Sequence, residues 1–151
     1  MKKTLIVAFM YFFTIFGWSQ NLNIQSDSLT NQFQRVNSFY LDIGGEGILG
    51  SIGYDKIIPA TEKGAIVIGA NIGYLADFIF KVNYLHGGPN NFLEVGAGIS
   101  APEMLIIPRL GYRYQGENGF LFRFGGMYFQ TLNPNSFGDF PFLGLSFGYS
   151  F

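Results

Sequence analysis

Seven charged side chains occupy one face of short runs that alternate between large apolar and small residues: Asp42, Asp55, Lys81, Glu94, Arg109, Arg113 and Arg123. Charges gathered on one wall can line a charged pore or gate. They can also form a plug of mutually neutralising ion pairs, since an unpaired charge in a narrow interior is costly. Other chemistry is thinly supplied. His86 is the sole histidine and precedes Gly87, Gly88 and Pro89, so it reads as a solvated turn residue. A histidine beside a serine could instead serve a lipid-modifying barrel as base and nucleophile. That reading asks His86 to lie near the outer leaflet, and its predicted place is the opposite end. The chain has no cysteine, which excludes disulfides, thiolate metal sites and a cysteine nucleophile. One histidine without cysteine also makes a poor metal ligand set. Gly45-Glu46-Gly47-Ile48-Leu49-Gly50 matches the GxGxxG pattern. A dinucleotide site needs that turn between a strand and a helix, and strand-like sequence follows here. Asp77, Glu103 and Asp139 read as solvated loop charges. No catalytic, cofactor-binding or metal-ligating residue is assigned, and no cofactor is expected.

The elements that must position the seven charges are strands. Hydrophobic residues make up 48% of the 151 residues, aromatics 19% and charged residues only 13%. That is about half the charge of an ordinary soluble domain. No segment after the N-terminus approaches the ~18–20 consecutive apolar residues of a membrane helix. Scarce charge, 18 Phe, 9 Tyr and 21 Gly without a spanning helix suit a membrane β-barrel, whose lipid and lumen faces alternate. Lys2 and Lys3, an apolar core over 5–16 and Gly17-Trp18-Ser19 form a predicted signal peptide over 1–19, cleaved before Gln20. The remaining chain carries seven basic and ten acidic residues, net −3, which gives no basis for nucleic-acid binding. Residues 20–37, rich in Asn, Gln and Ser, read as a flexible periplasmic leader.

Eight strands are expected over 38–151, at 38–44, 48–57, 65–74, 78–85, 92–100, 107–115, 120–130 and 142–151. The first two form the weakest hairpin prediction, because 38–58 could also be one long bent strand. Expected turns are 44–47, 58–64, 86–91 and 116–119, with longer connections at 101–106 and 131–141. An even strand count closes a single-chain antiparallel barrel, and a seven-stranded sheet would leave an open edge with unpaired backbone groups in lipid. The fold class expected is therefore an all-β, eight-stranded antiparallel up-and-down transmembrane β-barrel. A lipocalin-like soluble barrel would need a charged outer row. The second row here is mostly Gly, Ser, Asn and Ala, which suits a crowded bore. Folding about 101–106 places Glu94 opposite Arg113, and folding about 116–119 places Arg123 beside Arg113. Glu94 is thus expected to be shared between two guanidiniums.

The final run, Phe142-Leu143-Gly144-Leu145-Ser146-Phe147-Gly148-Tyr149-Ser150-Phe151, alternates strictly and looks like the terminal strand of a bacterial outer-membrane barrel. That resemblance implies that Tyr149 and Phe151 act as the assembly signal read by the barrel-assembly machinery. Gly111-Tyr112-Arg113-Tyr114-Gln115, Gly119-Phe120-Leu121-Phe122-Arg123-Phe124-Gly125 and Phe92-Leu93-Glu94-Val95-Gly96-Ala97-Gly98 join it in resembling small, mostly uncharacterised outer-membrane barrel proteins of Bacteroidota-type bacteria, with OmpA-like transmembrane barrel architecture. The resemblance spans most of residues 40–151 and implies outer-membrane location, with outer-membrane lipid and the assembly machinery as partners. It implies no activity. The expected role is non-enzymatic, structural or surface-interacting with a largely occluded lumen; a narrow pore for small solutes or ions is the alternative, and a lipid-modifying enzyme comes third.

Overall fold

Strict alternation demands extended backbone with unlike faces, and eight such strands form in the computed structural model, which describes residues 33–74, 77–101, 104–132 and 139–151. They are β1 (Asn37–Ile43), β2 (Gly50–Thr61), β3 (Gly64–Gly73), β4 (Phe78–Gly87), β5 (Asn91–Ala101), β6 (Leu105–Gln115), β7 (Phe120–Thr131) and β8 (Phe140–Ser150). Each pairs antiparallel with its sequence neighbour, and β8 returns to β1 to close the barrel. The closing seam runs from Ser38 opposite Ser150 to Ile43 opposite Leu145. Followed once around, from Asn37 through Lys56, Ile68, Val82 and Ala97 to Tyr128 and Pro141, the register returns about ten residues along, a stagger that tilts the strands by roughly 40°. Residues 38–58 are a hairpin, with Ser38 opposite Asp55; the single-long-strand alternative does not occur.

Several boundaries differ from expectation. β2 starts at Gly50 rather than Ile48, because the chain between β1 and β2 turns inward over 44–49. Ile48 adopts a left-handed φ of 59° and packs half-buried among interior residues rather than on the outer face. β2 runs on to Thr61 past an irregularity at Pro59, so the expected 58–64 turn shrinks to its tip. His86 lies on β4, opposite Gly64 and Leu93, not in the turn. β6 begins at Leu105 and β8 at Phe140, which shortens both long connections; residues 133–138 of the second lie outside the described residues. The predicted signal peptide over 1–19 and most of the expected leader also lie outside them. The described end of the leader is well anchored: Phe33 is buried, and Val36 O accepts a 2.6 Å hydrogen bond from Ile57 N.

The outer face is a continuous belt of large apolar side chains, among them Phe39, Leu41, Ile52, Ile68, Phe80, Val82, Leu93, Leu110, Phe124 and Phe147, each at least 38% exposed. The interior has three layers. Phe33, Ile57, Ala65, Val67, Leu85 and Phe92 fill the end that carries the termini. Ile79, Ile107, Met127 and Phe129 fill the opposite end, with Ile48, Phe140 and Phe142 against them. Charged and polar residues occupy the middle.

Room for that middle layer comes from small residues on the strand between. Asp55 on β2, Gly69 on β3 and Lys81 on β4 stand side by side in register. A Cβ at Gly69 would overlap Asp55 Oδ1 and sit 2.6 Å from Lys81 Cε. Gly53 likewise lies beneath the Tyr40 ring. At the outward-facing Gly126, by contrast, the nearest atom to an added Cβ is Leu143 Cδ2 at 3.7 Å. Gly69→Ala should therefore cost about 1–3 kcal/mol through overpacking. Gly126→Ala should stay within about 0.5 kcal/mol. Thermal unfolding in detergent, followed by circular dichroism, measures both, and equal effects would refute the spacer role.

Candidate functional site

The seven predicted interior charges all point inward and are all buried, the most exposed being Arg109 at 6%. Asp55 sits at the centre. Its carboxylate meets Lys81 Nζ at 3.2 Å, Arg113 Nη1 at 3.0 Å and Arg123 Nη1 at 3.5 Å. The Tyr40 hydroxyl lies 3.0 Å from Asp55 Oδ1 and 2.7 Å from Asn71 Oδ1, and accepts a hydrogen bond from Lys81. Lys81 Nζ and Arg123 Cζ both approach the Tyr40 ring, at 4.6 and 4.7 Å from its centroid. The ring face thus meets two cations, an arrangement favoured by its quadrupole.

Glu94 forms a two-pronged pair with Arg123: Nε donates to Oε2 at 3.0 Å and Nη2 to Oε1 at 2.9 Å. Asn83 adds a donor to Oε1. This corrects the expected partnership. Glu94 faces Gly111 across β5–β6, while Arg113 faces Phe92. The earlier start of β6 shifts the register by two residues. Gly111 has no side chain, so Glu94 reaches past it to Arg123 on the next strand. Arg113 does stand directly opposite Arg123, and the carboxylate that lies between those two guanidiniums is Asp55. Arg113 Nη2 also donates to Ser38 Oγ at 2.7 Å. Among the described residues Asp42 takes no cation and is held by donors instead: Asn71 Nδ2 at 3.1 Å, Ser51 Oγ at 3.3 Å and the Ser146 hydroxyl.

Glu46 is the interior charge that the sequence reading missed. It lies in the 44–49 connection, where the sequence predicts a turn over 44–47, yet only 3% of it is exposed. Its Oε1 accepts from Arg109 Nη1 at 2.6 Å and its Oε2 lies 3.3 Å from Lys81 Nζ. A signal for it existed. The seven expected charges comprise three acids and four bases, which leaves one buried positive charge uncompensated. Glu46 supplies the fourth acid, so the eight buried charged residues among those described sum to zero. Burial alone would raise the Glu46 carboxyl; the adjacent Lys81 ammonium and Arg109 guanidinium outweigh it and hold the group below its ordinary value of 4.5.

The other sequence-derived candidates fall elsewhere. Tyr149 and Phe151 project outward, 54% and 55% exposed, with Tyr149 between Phe39 and Phe120. Phe151 exchanges backbone hydrogen bonds with Asn37 across the seam. His86 stacks on Tyr84 at 6.4 Å on the outer face. The GxGxxG stretch joins two strands with no helix after it. No group of three metal-capable side chains occurs among the described residues. The interior described is therefore a packed, electrically neutral core between two apolar layers. No protein-family model, no curated protein and no solved structure matches the chain.

Two outcomes follow from this geometry. Coupling in a double-mutant cycle should be larger for Glu94→Gln with Arg123→Gln than for Glu94→Gln with Arg113→Gln, by about 0.5–3 kcal/mol in thermal unfolding. Equal coupling would contradict the register. Removing the Glu46 charge strands Arg109 inside, so Glu46→Gln should cost about 3–5 kcal/mol at neutral pH. Because the folded-state pKa of Glu46 is lowered, its contribution is complete above pH 4.5 and lost as pH falls through the folded value. The stability gap between wild type and Glu46→Gln should therefore narrow on acidification below pH 4.5; a gap that widens there would overturn the assignment.

Proposed function

We propose that this chain is a non-enzymatic integral outer-membrane β-barrel with a structural or surface-interacting role and a largely occluded lumen. One observation carries the reading: the molecule is inside out. Eight charged residues are buried among those described, and a belt of large apolar side chains is exposed, a distribution that water would penalise and a hydrocarbon surround rewards. The closed ladder leaves no unpaired strand edge, as a lipid environment requires. Strands of 10–12 residues for β2 to β8 compare with the ~9–11 needed to cross a bilayer at a tilt. Tyr84 and Tyr149 toward one rim and Tyr74 and Tyr128 toward the other suit interfacial girdles.

In this reading the signal peptide directs export, both termini face the periplasm, and the connections after β1, β3, β5 and β7 face outward. Outer-membrane lipid surrounds the belt. The barrel-assembly machinery reads Tyr149 and Phe151 during biogenesis, in keeping with the resemblance to small Bacteroidota-type barrel proteins. Occlusion is supported by the neutral ionic layer and by the apolar layers at both ends of the bore. A narrow pore would need a continuous wet path, and both apolar layers stand in its way.

The purified protein should float with liposomes and change its gel mobility on heating, and planar bilayers containing it should show no steady unitary steps. Steady steps would put the pore reading first. Deletion of Phe151 should reduce heat-modifiable barrel in the outer membrane; unchanged levels would count against the assembly signal.

A further inference from the structure

We infer that residues 33–36 form a combined plug and clasp, which docks only on a closed barrel and thereby links closure of the seam to sealing of the bore. The strap is short, yet it touches strands from all around the ring. The Phe33 ring is 4% exposed and stacks on Phe92 of β5 at 5.4 Å with 24° between planes. Val36 packs on the same cluster, and its carbonyl accepts from Ile57 N of β2. Arg35 O accepts from Gln115 Nε2 of β6 at 2.7 Å. The Arg35 guanidinium donates to Ser150 O of β8 at 3.1 Å and to Glu117 O in the turn after β6.

These anchors do not exist together on an open sheet. β2 and β8 lie on opposite sides of the seam, and only closure brings Ile57 and Ser150 to the two flanks of β1. β1 is also the shortest strand, at seven residues, with six register pairs to β8. A cross-brace at that seam therefore acts where the ladder is least extensive. At the same place Phe33 completes the apolar layer, whose other members come from β2, β3, β4 and β5. Without Phe33, the Phe92 ring would face open solvent at the mouth of the bore. The inference concerns this end of the barrel and holds whatever surrounds the outer face.

The full chain, refolded in detergent, permits a direct test because it contains no cysteine. Maleimide should react with Phe33→Cys about a hundredfold more slowly than with Glu62→Cys in the exposed turn, and equally fast after unfolding. Equal rates in the folded barrel would overturn the plug. For the clasp, Arg35→Ala should lower the temperature of the heat-induced gel shift by several degrees. The same substitution should lose most of that effect when the seam is held by a disulfide between Leu41→Cys and Phe147→Cys, which face each other across β1 and β8. An undiminished effect in the cross-linked barrel would overturn the clasp, as would Arg35→Ala without effect in the uncross-linked one. The labelling arm does not depend on the fate of the Arg35 variant.

Discussion

An eight-stranded barrel has room inside for side chains and little else, and most of this molecule follows from that limit. Several of the large interior groups have small neighbours across the ladder. Tyr40 lies between Gly53 and Gly148, Lys81 between Gly69 and Gly98, and Glu94 beside Gly111. The inward-facing glycines on these strands are the negative image of the buried ring, ammonium and carboxylate. With no space for bulk water, each charge must also find its counter-charge or donors within the wall, and the eight buried charges do so through Asp55, Glu46, Glu94 and the amide and hydroxyl groups around Asp42.

Buried ion pairs are not an efficient source of stability; an apolar filling of the same shape often does as well or better. Here they bear on register. A one-residue slip sends every side chain to the other face. With an apolar belt outside and an apolar core inside, such a slip would cost little, because both faces would look alike. The seven buried charges on strands remove that ambiguity, since a slipped strand would place them in the apolar belt. The two end layers can then be apolar without confusing the fold.

Alternation made the strands legible in the sequence, and parity made the seven interior charges legible with them. Partners were harder to read because pairing depends on where each turn begins. Leu105 and Ile106 look like loop beside the proline-bearing stretch before them, yet they open β6, and that moves Glu94 from Arg113 to Gly111. Glu46 was hidden by its context, a run of glycines that ordinarily marks an outward turn. Phe33 was hidden likewise, as one aromatic in a polar leader. Both are loop or leader residues that fold back into the bore, and no local period announces such a return. Only a global criterion, the neutrality of the interior, pointed to Glu46.

Neutrality also constrains how such a protein can change over time. The outer belt asks only for apolar bulk, so Leu, Ile, Val and Phe can exchange there almost freely. The bore cannot drift one residue at a time, because a lone loss leaves an unmatched charge. Neutrality is kept only where both partners of a pair change together, as with Glu46 and Arg109 or Glu94 and Arg123. Two barrels of common descent could therefore share few residues on the outside and still carry the same pattern of linked opposites within. Kinship for a chain like this one is better sought in coupled interior pairs than in overall sequence identity.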